Sequence, residues 1–125
     1  MKRKYDLEER LIAFAIRMME FTEQFSKTKA GNHVAGQLVR SGTSPAFNYG
    51  EVQGSESPKD FIHKMKVILK ELRETRICLI IIIRKPLINP PKKIDSNLSE
   101  YNELVAIFAT SIKTAQRTKS KNDDK

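Results

Sequence analysis

Apolar residues in the first stretch of the chain recur at helical spacing. Leu7, Leu11, Phe14, Met18, Phe21 and Phe25 are separated by 4, 3, 4, 3 and 4 residues. That spacing places them in one stripe on an α-helix, and an alternation of period two fails here. The pattern predicts a helix over Asp6–Phe25. Asp6 can cap it, and Glu8 and Glu9 fall in the first turn, where the helix dipole favours acids. Residues 26–32 read as a connection with Gly31 as its loosest point.

A second helix is expected to open near Asn32 and to carry Val34, Leu38 and Val39. It then meets Pro45, which has no amide hydrogen and crowds the preceding turn. Two readings follow: a helix kinked at Pro45, or two short helices with a loop. The kinked helix is the expectation. Extending its seam from Val34 and Leu38 gives Ser41, Pro45, Asn48 and Val52, which is small and polar where the other seams are greasy.

The third segment has the clearest start. Ser57 is a cap residue, Pro58 suits the first helical position, and Asp60 follows three residues after the cap. Phe61, Met65, Ile68, Leu72, Thr75, Leu79 and Ile82 then repeat at 4, 3, 4, 3, 4 and 3. Pro86 ends the pattern, giving a helix about 40 Å long. Residues 85–95 hold three prolines and read as a stiff loop. A fourth helix begins near Ser96 or Ser99, with Tyr101, Val105, Phe108, Ile112 and Ala115 as its stripe. Four amphipathic segments and no paired strand pattern predict an all-α, antiparallel up-down four-helix bundle. The bundle domain spans residues 1–117, with a short basic N-terminal arm, and residues 118–125 read as a disordered basic tail.

Composition supports one globular domain. The chain has 125 residues, 30% of them charged and 39% hydrophobic. Five Gly and five Pro are too few for the turns of an all-β sandwich. The single Cys78 excludes a disulfide framework within one chain and a multi-cysteine zinc site. It fits a reducing compartment, and a cytoplasmic location is expected. The charged start lacks the pattern of a secretory leader, and no run of 18 apolar residues is present to span a membrane.

The net charge of +8 is unevenly placed. Lys2, Arg3 and Lys4 supply +3, residues 113–125 another +3, and the body of the chain only +2. Basic ends suit polyanions, chiefly nucleic acid, and also serve solubility. The third helix carries an outer stripe of Lys59, His63, Lys66, Lys70 and Arg73, on the side opposite Phe61. It spans about 21 Å, several phosphate spacings. No aromatic stacking platform accompanies it, so backbone recognition is the expected mode. The candidate contacts are Lys59, Lys66, Lys70 and Arg73, with Lys2, Arg3, Lys4, Lys113 and Arg117 from the ends.

Catalytic chemistry finds no support. His33 and His63 are the only histidines, and both read as solvent-facing. Glu51 and Glu74 lack the His three residues on that di-iron bundles use. No enzyme activity, cofactor or metal is expected, and Cys78 reads as a small buried hydrophobe. Polar residues nonetheless gather at inner positions: Ser44, Asn48 and Glu51 around the proline, Glu71 and Glu74 in the third helix, and Arg40, Arg73 and Arg76 as candidate partners. A carboxylate near an inner seam needs such a partner. The expected role is a structural network fixing helix register or a subunit contact, the alternative a ligand or catalytic site. Beyond Arg76 the third helix is apolar all round. Ile77, Ile80, Ile81 and Ile83 cannot all be hidden by one bundle, so a second subunit is the expected cover, with the proline-rich loop as the alternative.

Three stretches together are recognisable: Arg40 to Glu51, Glu56 to Lys64 and Lys70 to Thr75. They resemble the small four-helix bundle protein family, which includes proteins encoded in intervening sequences of bacterial large-subunit ribosomal RNA. The chain is similar also to the accessory protein of diversity-generating retroelements. The resemblance covers about Asp6 to Arg117. It implies an up-down bundle assembling into a homopentameric ring, nucleic-acid binding and no enzyme activity. The family's recurrent polar positions fall on Arg40, Ser44, Asn48, Glu51, Glu71 and Glu74. Pro45 and Cys78 depart from its usual residues. The resulting expectation is a non-enzymatic oligomeric bundle that binds nucleic acid, RNA before DNA, through phosphates. The alternative is a structural or adaptor ring whose partner is a protein such as a polymerase or reverse transcriptase.

Overall fold

Four helices account for the described parts of the computed structural model, residues 3–85 and 95–123. They are α1 (Arg3–Glu23), α2 (Lys29–Val52), α3 (Pro58–Arg84) and α4 (Asp95–Asp123). No strand occurs among the described residues. Helix α2 packs between α1 and α3, α4 packs on α3 and more lightly on α1, and α1 and α3 stand at opposite corners. Leu7 early in α1, Val52 at the end of α2, Phe61 early in α3 and Ser111 past the middle of α4 line one cavity. Successive helices therefore run antiparallel, up and down.

The three strong heptad-like stripes form the core. Leu11, Phe14, Met18, Ile68, Leu72, Leu79 and Phe108 are buried to within 1% or less of their surface. Phe25, just past the end of α1, is still 6% exposed and belongs to the same cluster. Tyr49 meets Phe108 edge-on, with centroids 6.0 Å apart, bridging α2 and α4.

Helix ends differ from the sequence expectation in instructive ways. Helix α1 starts at Arg3, so Asp6 lies inside the helix and does not cap it. Arg3 and Lys4 belong to that helix instead of a free arm, and Lys2 lies outside the described residues. Helix α2 opens at Lys29, and Thr28 caps it by accepting from the Gly31 amide at 3.0 Å. Gly31 is thus helical, not a loose point. A Cβ there would sit 2.1 Å from the Ser26 carbonyl oxygen, so only glycine lets the connection fold back so tightly.

Helix α2 continues through Pro45 to Val52 as one element, so the two-helix reading is excluded. Its inner face is Leu38, Ser41, Gly42, Pro45, Tyr49 and Val52; Val34 and Asn48, expected there, are only half-buried. Helix α3 begins as its sequence predicts, with Ser57 Oγ accepting from the Asp60 amide at 3.0 Å. Asp60 in turn accepts from the Glu56 amide and pairs with Lys64 at 3.1 Å. Helix α4 corrects the disordered-tail expectation: it extends to Asp123, well past Arg117. The segment 118–123 holds no Gly or Pro, and Lys119 and Lys121 are good helix formers, so nothing in it stops propagation. The proline-rich loop, 86–94, lies outside the described residues.

Helices α1 and α2 approach closely at Gly42. A Cβ on it would lie 2.7 Å from Met18 Cγ and 2.8 Å from Met18 Cβ. Gly36, in the same helix, is exposed and has open space around it. Gly42→Val is expected to lower unfolding free energy by about 1–3 kcal/mol through overpacking. Gly36→Ala is expected to raise it by roughly 0.5–1 kcal/mol. Urea midpoints of the two variants check the pair. Equal midpoints would contradict the packing described.

Candidate nucleic-acid interface

The outer stripe of α3 is where the periodicity places it. Lys59, His63, Lys66, Lys70 and Arg73 are all exposed, while Met65, Ile68 and Leu72 on the opposite side are buried. Lys70 is not a free cation, because Glu74 lies 4.0 Å away one turn later. The structure brings Lys66 and Arg73 together with Lys113 of α4. The three edge an open groove of ≈ 350 Å³ floored by Leu69 and Ile112. Lys66 and Arg73 are seven residues apart, about 10 Å along α3.

The continuation of α4 adds to this surface. Lys113, Arg117 and Lys121 are exposed on successive turns. Because α4 runs antiparallel to α3, they proceed toward the Lys59 end. Lys113 and Arg117 are the contacts expected from the sequence, but their alignment with Lys121 as one helical row was not legible because the second half reads as a tail. The signal was its i, i+4, i+8 spacing.

The polar positions separate into a network and two bystanders. Arg40 donates from Nη1 to Glu71 Oε1 at 2.9 Å and from Nη2 to Glu74, bridging α2 to α3. Its hydrogen bonds hold the Glu74 carboxyl below the usual carboxylate range and raise the Arg40 guanidinium. Beneath this bridge Thr75 Oγ1 lies 3.0 Å from both Ser41 Oγ and the Glu71 carbonyl oxygen. Ser44 turns back on its own helix, donating to the Arg40 carbonyl at 2.7 Å. Asn48 and Glu51 do not join: Asn48 is half-buried and Glu51 exposed, a turn or more beyond the bridge. The network ties two helices through Arg40, with Arg73 and Arg76 exposed and outside it, and its Arg40, Ser41 and Glu74 line a groove between α2 and α3. Burial pushes the Cys78 thiol up, which disfavours the thiolate a nucleophile needs.

The apolar end of α3 divides as geometry requires. Cys78, Leu79 and Ile82 are buried; Ile77, Ile81 and Ile83 are 52%, 42% and 40% exposed; Ile80 lies between. Two apolar features escaped the sequence reading. Ile12, Ile16 and Met19 form an exposed row on α1, and Phe47 on α2 is 74% exposed. The α1 row has helical spacing of its own, beside the deeper stripe that drew attention.

Among the described residues no group of His, Cys, Asp and Glu is arranged to hold a metal ion. No described helix is long and apolar enough to cross a membrane.

Comparison with known proteins agrees with the fold. A family model described as 23S rRNA-intervening sequence protein matches residues 3–110. A solved structure from Bacteroides thetaiotaomicron, a protein of unknown function from the S23 ribosomal protein family, is similar. It shares 27% identity, with 90% of this chain and 99% of that chain covered and a TM-score of 0.79. No curated protein matches.

The Arg40 bridge has a pH signature. A carboxyl depressed in the folded state stabilises above its unfolded value, about 4.3, and that stability is lost as pH falls through the folded value. Glu74 is partly exposed and the pair is solvent-screened, so the effect is about 1 kcal/mol at most. Glu74→Gln is therefore expected to reduce the loss of urea midpoint between pH 7 and pH 3. A variant whose acid loss equals wild type would show that the bridge is not formed in solution.

Proposed function

The chain belongs to the 23S rRNA-intervening sequence protein family, and on that premise we propose a non-enzymatic, self-associating bundle that binds nucleic-acid backbone. The observation that carries this reading is the α3–α4 groove, where Lys66, Arg73 and Lys113 converge. Lys66 and Lys113 have no ion-pair partner among the described residues, so their charge is available to phosphates. Lys59, Lys70, Arg117 and Lys121 extend the positive surface along both helices. Each neutralised phosphate releases condensed counterions, which supplies affinity without base contacts. The groove lining contains no aromatic side chain, so it offers shape and charge recognition and no stacking. The family's tie to a ribosomal RNA intervening sequence is the reason for placing RNA ahead of DNA. Self-association has its own support in Ile77, Ile81 and Ile83, a greasy end that the bundle leaves uncovered. We place this activity in the cytoplasm.

A protein-adaptor role, with a polymerase-like partner, is favoured by one observation, the isolated exposure of Phe47 on α2. Salt separates the two. With about four phosphate contacts, log affinity for a structured RNA should fall linearly with log salt at a slope of about −3 to −4. Lys66→Glu, Lys113→Glu and Arg117→Glu together should weaken binding by more than about tenfold and flatten that slope. Helicity should be unchanged, since all three side chains are exposed. Filter-binding or fluorescence-anisotropy titrations at several salt concentrations measure both. A flat salt response in the wild type, or no binding at low salt, would sink the nucleic-acid reading and leave the adaptor role.

A further inference from the structure

The exposed faces of α1 and α3 are chemical complements. On α1 the outward row is Ile12, Ile16 and Met19, and every charged residue around it is acidic: Glu8, Glu9, Glu20 and Glu23, all exposed. Among the described side chains of α1 the exposed cation, Arg17, lies round the flank in a cleft toward α4 that Glu9 and Arg10 also line. Arg10 is engaged there by Glu100 and Glu103. Among the described residues none of the four glutamates is in an ion pair. On the upper half of α3 the outward row is Ile77 and Ile81, and the charges in line with it are Arg73 and Arg84. Neither arginine is ion-paired among the described residues.

The spacings agree as well. Glu9 and Glu20 bracket the α1 row at eleven residues, and Arg73 and Arg84 bracket the α3 row at eleven residues, about 16 Å of helix in each case. Beside Ile77 and Ile81, an apolar groove of ≈ 350 Å³ runs between α3 and α2 and is edged by Val34 and Cys78. It has room for side chains the size of Ile16 or Met19. The two faces sit on opposite corners of the bundle, so one chain cannot close them on each other.

We propose that α1 of one copy docks, through Ile12, Ile16 and Met19, onto the Ile77–Ile81 face of α3 in a second copy. Glutamates of the first copy then meet Arg73 and Arg84 of the second. The contact is heterologous: each copy offers one face of each kind and repeats the same joint with the next. The apolar centre supplies the burial, and the flanking charges choose the partner face, since α1 against α1 or α3 against α3 sets like charges together. This deepens the self-association proposed above and rests on it, but not on nucleic-acid binding. It also assigns Arg84 and the upper part of α3 to assembly and leaves Lys59, Lys66 and Lys113 to phosphates.

Charge exchange between the two faces tests it, read by light-scattering mass without nucleic acid. Variant one carries Glu9→Lys and Glu20→Lys; variant two carries Arg73→Glu and Arg84→Glu. The wild type should run at a multiple of 14.3 kDa, and each variant alone near 14.3 kDa with wild-type helicity. Mixed one to one, the variants should regain a larger species that contains both chains, because each joint between unlike copies is again opposite in charge. Recovery on mixing also shows that both variants fold. A variant one that keeps the wild-type mass would overturn the assignment while leaving self-association standing. So would a mixture that stays at 14.3 kDa. A monomeric wild type would overturn both.

Discussion

The bundle depends on one buried polar contact, Ser41 against Thr75. Both side chains are essentially inaccessible, at 1% and 0% exposure, and both need a partner there. Thr75 Oγ1 lies 3.0 Å from Ser41 Oγ and 3.0 Å from the Glu71 carbonyl oxygen. The carbonyl can only accept, so Thr75 donating to it while receiving the Ser41 proton satisfies both hydroxyls. A slide of α2 along α3 would strand two hydroxyls in a dry interior, at about 1–3 kcal/mol each. Helix register is thereby held by a penalty for leaving it. Small residues make the contact possible. Ser41 and Gly42 let α2 approach both α3 and α1 closely, where larger side chains would hold the helices apart.

Much of the rest follows from that register. It sets Arg40 opposite Glu71 and Glu74, so this cation of the α2–α3 seam is matched by two carboxylates. It turns Met65, Ile68, Leu72 and Leu79 inward together with Thr75. The opposite line of α3 is then fixed as outward: Lys59, His63, Lys66, Lys70, Arg73, Ile77, Ile81 and Arg84. This line changes from cationic to apolar partway along one rigid helix. In our reading its lower half, with α4, meets phosphates and its upper half meets another copy.

The helices and their inner faces were legible because periodicity is a direct imprint of burial. Ser57-Pro58 marked the start of α3, since a cap and a proline have one good place in a helix. Boundaries set by the absence of a signal were harder. The polar run after Arg117 lacks apolar residues, and so reads as a tail, yet nothing in it breaks a helix. Asp6 has the chemistry of a cap but no stop signal precedes it. On α2 small residues gave a weak periodicity, so Asn48 was placed inward where Tyr49 packs. The basic stripe was legible as a line on α3, but its meeting with Lys113 depends on the antiparallel pairing of α3 and α4. Periodicity also pulled attention to the deepest stripe of α1, which hid Ile12, Ile16 and Met19 beside it.

The central claim is that the outer line of α3 serves two partners in sequence along its length. Hydroxyl-radical footprinting read by mass spectrometry tests it most directly, because it reports individual side chains. The account predicts protection of Met19, Ile77 and Ile81 on raising protein concentration alone, with Lys66 and Lys113 protected only when RNA is added. Ile77 and Met19 as reactive at high concentration as in dilute protein, or Lys66 and Lys113 unprotected by saturating RNA, would contradict it.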